Sequence, residues 1–271
     1  MSYRRIDSRL RGRGVRSSDV RLDGGEGKML SKSAVRKAGS VMRRQAEGKA
    51  SQEEVERALA IVSAFRASFA GPLEAVSGEL ATLLEVHQVQ GEVSQRLKRM
   101  PTILEKITSR ESKLDLSRMQ DIGGCRVVLS SNEISELRRL EACVRERWAE
   151  AVRRTSDYVG RPRASGYRAV HVVVEQDQRL IEIQLRTQRM HQWAQRVEGL
   201  SAAFGTNYKQ DGESLVQEYA RLTAKMYIAL DAGEIPVHED RQQFERLSAL
   251  IAEELAGLGK NVGPMFGGEG I

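Results

Sequence analysis

Residues 179–198, RLIEIQLRTQRMHQWAQRVE, decide how the rest of the chain is read. Ile181, Ile183 and Leu185 alternate with Glu182, Gln184 and Arg186, so at period two the aliphatic side chains share one face of a strand and the polar ones the other. After Thr187 the period changes. Met190, Trp193, Ala194 and Val197 fall at i, i+3, i+4 and i+7, the apolar stripe of a helix packed on a sheet. A carboxylate and an amide are thereby fixed side by side on a stiff strand. The wet face of any half-buried strand would look the same, so evidence for chemistry has to come from the flanking segments.

Immediately upstream, SDYVGRPRASGYRAVHVVVE holds Gly160, Pro162 and Gly166, which interrupt regular structure, and crowds Arg161, Arg163 and Arg168 beside Tyr158 and Tyr167. Flat rings beside guanidinium groups on a loop suit a nucleobase carrying phosphates. Val170 to Val174 then form a strand that hairpins through EQDQR into the opening strand, with His171 near its start. A lone His there is as readily structural as functional.

Further upstream, Val93, Gln95 and Leu97 alternate with Ser94, Arg96 and Lys98, which sets two cations on one face of a strand. Pro101 begins a helix with Thr102 in its first turn and Lys106 one turn on. Cations, a hydroxyl and a helix N-terminus together describe a phosphate cradle, although cations on strands also serve as edge protection. Asp121 precedes a Gly123-Gly124 bend that feeds a buried strand, Val127 to Leu129. An amphipathic helix follows over NEISELRRLEACVRERWAE, and then a strand near Ala151–Arg154.

Helices surround this centre. Ser31 or Ser33 caps one through about Arg44; Ser51 opens SQEEVERALAIVSAFRASFA with a capping pattern; Gly71-Pro72 ends that helix and starts the next. Two more follow Tyr208-Lys209. Residues 1–30 read as a disordered basic arm and 258–271 as a flexible tail, leaving N-terminal helices over 31–90, a core over 91–210 and C-terminal helices over 211–257.

The net charge of +6 is uneven. Residues 1–50 hold 14 Lys and Arg against 5 Asp and Glu, so the remaining 221 residues are net −3. A basic arm on a slightly acidic body can follow a nucleic-acid backbone or simply be solvated. No apolar run approaches the roughly 20 residues a bilayer requires, and the basic N-terminus lacks a signal-peptide apolar segment, so a soluble, cytoplasmic protein with no membrane partner is expected. Cys125 and Cys143 read as free, buried thiols of a reducing compartment. There is no CxxC zinc pattern, Walker loop or internal repeat, and the four His are scattered.

Four of these segments, in this order, resemble the RelA/SpoT-type alarmone synthetases, particularly the short single-domain forms. RLKRMPTILEKI resembles the family's ATP-phosphate segment and MQDIGGCRVV its Asp-Ile-x-Gly-x-Arg strand. DYVGRPRASGYRAVH is similar to the acceptor loop, and EIQLRTQRMHQWA to the Glu-x-Gln-x-Arg-Thr segment. The likeness covers about Arg96 to Lys209. Arg163 stands where the family has Lys, Ser165 where it has Asn and Ala169 where it has Ser.

The resemblance implies an α+β, nucleotidyltransferase-like synthetase fold, a mixed sheet of about five strands flanked by helices with N- and C-terminal helical additions. It implies pyrophosphoryl transfer from ATP to a ribose 3′-hydroxyl of GDP or GTP, giving (p)ppGpp. Arg96, Lys98, Thr102 and Lys106 would bind the triphosphate and Arg126 the adenine. Asp121 and Glu182 would hold Mg²⁺, Glu182 would act as base and Gln184 would orient the site. Tyr167 would stack on the acceptor base, with Arg163 and His171 near its phosphates. Two alternatives stay open: a toxic relative acting on the 3′ end of tRNA or on adenine nucleotides, which implies a neutralising antitoxin, and a non-catalytic RNA-binding module. Assembly as a homo-oligomer is also left open.

Overall fold

The computed structural model describes residues 4–5, 30–110, 114–206, 208 and 213–260. Most of the expected basic arm and tail therefore lies outside the described residues. Arg4–Arg5, where no regular structure was expected, form a short strand, β1, antiparallel to β2 (Gly91–Leu97), with Arg4 opposite Gln95 and Arg5 opposite Ser94. The other strands are β3 (Gly123–Leu129), β4 (Val152–Asp157), β5 (Val170–Gln176) and β6 (Arg179–Arg186). Their order across the mixed sheet is β1-β2-β3-β6-β5-β4. β5 and β6 are joined by Asp177 and Gln178, both at positive φ (48° and 61°), the turn geometry that matches the twist of a two-residue hairpin.

The helices are α1 (Lys32–Ala46), α2 (Gln52–Ala67), α3 (Ala70–Val86), α4 (Met100–Glu105), α5 (Ile134–Trp148), α6 (Gln188–Phe204), α7 (Leu215–Asp231) and α8 (His238–Gly257). Ser31 caps α1, and Ser51 with Glu54 forms a complete capping box on α2. Contacts divide the chain into two units. Unit 1 is Met1–Ala81, Val93–Cys125 and Val173–Ile183; unit 2 is Thr82–Glu92, Arg126–Val172 and Gln184–Ile271.

In unit 1, α1 packs on α2, on the single turn Leu116–Arg118 and on the π-helical turn Lys106–Arg110 that continues α4. The break between α2 and α3 falls at Ser68-Phe69, not at Gly71-Pro72. Pro72 lacks a donor that the first turn of α3 would leave unused, so that turn accommodates it. By length and composition Gln52–Val86 is apolar enough to cross a membrane, with an 18-residue window of mean hydropathy 1.3, contrary to the sequence expectation. Here that hydropathy goes into the core: Phe65, Phe69, Leu73, Val76 and Leu80 are buried.

A second expectation is corrected at Gly123-Gly124, which is not a bend but the start of β3. A Cβ on Gly123 would lie 2.9 Å from Ile181 Cδ1 and 3.2 Å from Phe69 Cδ1, so the glycine lets the strand approach its neighbours. Both cysteines are free: burial pushes the Cys125 thiol up to about 12, and Cys143 is only half-buried.

In unit 2, Met190, Trp193, Ala194 and Val197 form the buried stripe of α6, as their spacing predicts. α6 packs on α7 and α7 on α8. Tyr167 and Ala169 of the loop before β5 join the same apolar cluster as Trp193, Ala220 and Ala224.

Candidate functional site

Unit 1 brings three of the expected residues together. Lys98 follows the end of β2 and Lys106 follows the six-residue α4, opening the π-helical turn; their Nζ atoms donate to one oxygen of Asp121, Oδ2, at 2.7 and 3.1 Å. The backbone of Lys98 is anchored twice, its N–H donating to Ile122 O (2.8 Å) and its carbonyl accepting from Arg66 Nε (2.6 Å). Burial alone would raise the Asp121 carboxyl, but the two lysine charges and their hydrogen bonds hold it below the usual carboxylate range. It is therefore ionised at neutral pH. Its second oxygen, Oδ1, is buried and makes no hydrogen bond among the described residues.

An anionic oxygen left buried and unbonded is costly unless something cationic takes it. That fits a hard divalent ion such as Mg²⁺. Among the described residues no group of three or more His, Cys, Asp or Glu side chains could hold a metal, so the remaining ligands would be Glu182, phosphate oxygens and water. Glu182 is half-buried on β6, and a Cβ on Gly124 of β3 would lie 3.5 Å from its carbonyl oxygen. Arg96 and Thr102 are half-buried on β2 and in the first turn of α4. With six residues, α4 offers little macrodipole, so the cradle rests on its cations rather than on a helix N-terminus.

Unit 2 holds the other expected residues, and their arrangement differs from the reading of the loop. Tyr167 is buried, 8% exposed, ringed edge-on by Tyr158, His171 and Trp193 at centroid distances of 5.8, 5.7 and 6.0 Å. Its phenol oxygen lies 2.6 Å from His171 Nε2 and accepts from Arg186 Nη2 at 2.8 Å. With Arg186 donating to that oxygen, the phenol proton is free to donate to His171, which suits the neutral Nδ1–H tautomer. His171, itself 8% exposed, is here a partner of the ring.

Arg186 Nη2 also donates to Gln184 Oε1 at 3.0 Å, and its guanidinium sits 5.2 Å from the Tyr167 centroid. Arg126 is buried on β3. The less buried ring is Tyr158, half-buried against the same cluster. Arg163 stacks 4.4 Å from its centroid and donates to its hydroxyl at 2.8 Å. Although burial would push that phenol up, the hydrogen bond and charge of Arg163 hold it below its ordinary value.

Two residues the sequence reading missed thus organise this half. Arg186 was visible only as the third polar residue of the β6 alternation, and Tyr158 only as a second ring near the arginines.

Residues 95–213 match the region found in RelA / SpoT proteins. That stretch belongs to the RelA/SpoT family. The chain is 30% identical over 169 residues to a probable GTP diphosphokinase, chloroplastic CRSH of Arabidopsis thaliana, covering 58% of this chain and 27% of that protein. It spans 14 to 29% of the length of the first curated relatives it matches. Among solved structures it is similar to the small alarmone synthetase 1 of Bacillus subtilis bound to its product pppGpp, with TM-score 0.54, 23% identity, and 63% of this chain and 93% of that one covered. A GTP pyrophosphokinase family protein of Streptococcus pneumoniae aligns at 25% identity and TM-score 0.50, over 65% and 95% of the two chains. The RelA/SpoT fold is that of the small alarmone synthetases, a mixed sheet flanked by helices.

Proposed function

We propose that this RelA/SpoT chain is an ATP-dependent pyrophosphokinase that transfers the β,γ-diphosphate of ATP to the ribose 3′-hydroxyl of GDP or GTP. The observation that carries the reading is the Asp121 carboxylate, clasped on one oxygen by Lys98 and Lys106 while the other is buried and unbonded. The names of the relatives support the reaction class.

In this reading Lys98 and Lys106, with Arg96, hold the triphosphate by charge-assisted donors, and Arg126 holds the adenine. Asp121 and Glu182 would hold Mg²⁺, which would supply charge neutralisation at the phosphates. Glu182 takes the proton of the 3′-hydroxyl as its oxygen bonds to the β-phosphorus. The bond between that phosphorus and the oxygen bridging to the α-phosphate breaks, and AMP leaves with the electron pair. Tyr158 and Arg163 offer the less buried ring and its stacked cation to the acceptor, while Tyr167, Arg186 and Gln184 brace them.

A second reading is favoured by α1, whose Lys32, Arg36 and Lys37 are exposed and which carries no acidic residue. Such a face suits a nucleic-acid backbone, with the tRNA 3′ end as acceptor. Incubating the purified chain with γ-labelled ATP and GDP, GTP, ATP or deacylated tRNA separates the readings. Label in GDP or GTP with one AMP released per transfer is expected. Label in tRNA or adenine nucleotide selects the second reading, and no AMP with any acceptor overturns both.

A further inference from the structure

We infer that Asp231, the last residue of α7 and outside the family match, is a positioning residue for the acceptor loop. Its carboxylate is almost fully buried, with 4% exposure, and each oxygen is taken by a different arginine. Oδ2 accepts from Arg168 Nη1 at 2.6 Å, and Oδ1 from Arg189 Nη1 at 2.9 Å. Arg168 directly follows Tyr167 in the loop, and Arg189 is the second residue of α6, just past the end of β6. Asp231 therefore ties the loop to the helix that follows the Gln184–Arg186 strand end.

The same helix also touches the loop directly. Gly166 adopts φ +89°, and a Cβ there would lie 2.7 Å from Ala224 Cβ and 3.1 Å from Ala220 O, so the loop backbone rests directly on α7. Trp193 Nε1, whose ring packs edge-on against Tyr167, donates to that same Ala220 carbonyl at 2.7 Å. Arg168 is 7% exposed and its Nε makes no hydrogen bond among the described residues. Removing the carboxylate leaves two largely buried guanidinium groups without their shared counter-charge, and the loop is the segment free to shift in response. Asp231 is too buried to meet a nucleotide. Its effect passes through Arg168 to Tyr167, and from there to the Tyr158–Arg163 pair.

This inference rests on the proposed reading that the loop receives the acceptor. Two readouts keep the two apart. Hydrogen exchange of the full chain reports the loop without any substrate, through amides such as Gly166 N–H to Arg163 O (2.8 Å) and Arg163 N–H to Tyr167 O (3.2 Å). In Asp231→Asn, peptides over 158–169 should exchange faster, while those of α2 and β2 stay as in the wild type. In turnover, the acceptor KM should rise roughly tenfold or more, with the ATP KM and the kcat at saturating acceptor within about twofold.

Asp231→Glu should recover part of the loss. If Asp231→Asn does not accumulate folded, Arg168→Gln breaks the same link from the loop side and should show the same signature. Unchanged exchange in the loop, or acceptor and ATP KM rising together, overturns the inference. A wild-type chain that transfers to no acceptor overturns the proposed function instead, and the exchange data still decide whether Asp231 holds the loop.

Discussion

In unit 1 the candidate donor residues are drawn around one carboxylate: Lys98 reaches Asp121 across 23 residues of chain and Lys106 across 15. In unit 2 the candidate acceptor residues are braced from other elements, by Arg186 of β6, 19 residues from Tyr167, and by Asp231 of α7, 63 residues from Arg168. The first cluster is charged and compact, with one buried carboxylate oxygen unbonded among the described residues. The second is a packed set of rings and guanidinium groups joined by Tyr167, Arg186 and Asp231. A cluster of the first kind tolerates little change of charge, whereas one of the second kind is sensitive to shape. The two halves should therefore fail differently when mutated, the donor half in phosphate binding and chemistry, the acceptor half in acceptor affinity.

The largest effect is expected at Glu182, on the strand that both halves share. Glu182→Gln keeps size and hydrogen-bonding capacity but removes the proposed base, and kcat should fall roughly 10²- to 10⁴-fold with an unchanged thermal midpoint. Turnover within about tenfold of the wild type would remove Glu182 from that role. Next comes Lys98→Ala, which strips Asp121 of its closest partner, 2.7 Å away. The ATP KM should rise on the order of tenfold to a hundredfold while the acceptor KM stays near wild type, as measured by varying each substrate in turn. An acceptor KM that rises equally would erase the distinction between the halves.

Tyr167→Phe tests the other side more gently. It keeps the ring in its apolar cluster but deprives His171 and Arg186 of the oxygen between them. A stability loss of about 1–3 kcal/mol is expected by denaturant unfolding. The acceptor KM should rise severalfold with ATP unaffected. A larger effect on ATP would place that ring's influence in the donor half.

The same contrast explains what could be read from the chain. The strand–helix switch at Thr187 and the capping box at Ser51 are local patterns, and both are present as read. Lys98, Lys106 and Asp121 are assigned to phosphate and metal by the family resemblance, and they meet in one cluster within unit 1. The resemblance gives Tyr167 the stacking role, and loop composition says nothing about which of two tyrosines faces inward. That choice is made by Trp193 of α6 and Ala220 and Ala224 of α7, a helix no loop motif points to. His171 was placed near phosphates, but its ring nitrogen belongs to Tyr167. Gly123-Gly124 looked like a turn because a close approach to Ile181 and Phe69 cannot be seen in a dipeptide. Asp231 escaped for the same reason, its partner Arg168 lying 63 residues away, and Arg186 because a strand alternation does not show which polar side chain is buried.

The smallest effect is one of pH, and it separates the halves without substrate. His191, the fourth residue of α6, is pushed down to about 4 by burial and by the charges of Arg126 and Arg186, with Glu198 and Glu92 opposing, and its buried Nδ1 makes no hydrogen bond among the described residues. The folded imidazole thus stays neutral where the unfolded one, at its ordinary value of 6.5, takes a proton. Because the unfolded state binds more protons in that window, stability falls as pH drops from 6.5 toward 4, with a slope of at most about 1.4 kcal/mol per pH unit from this group. Asp121 in unit 1 titrates below its ordinary 3.8, outside the window. His191→Gln should therefore flatten the wild-type decline between pH 6.5 and 4 in denaturant melts and leave stability at pH 7.5 within a small, constant offset. Parallel curves for the two proteins would mean that the imidazole is not held neutral, and that the charges of Arg126 and Arg186 are screened from it.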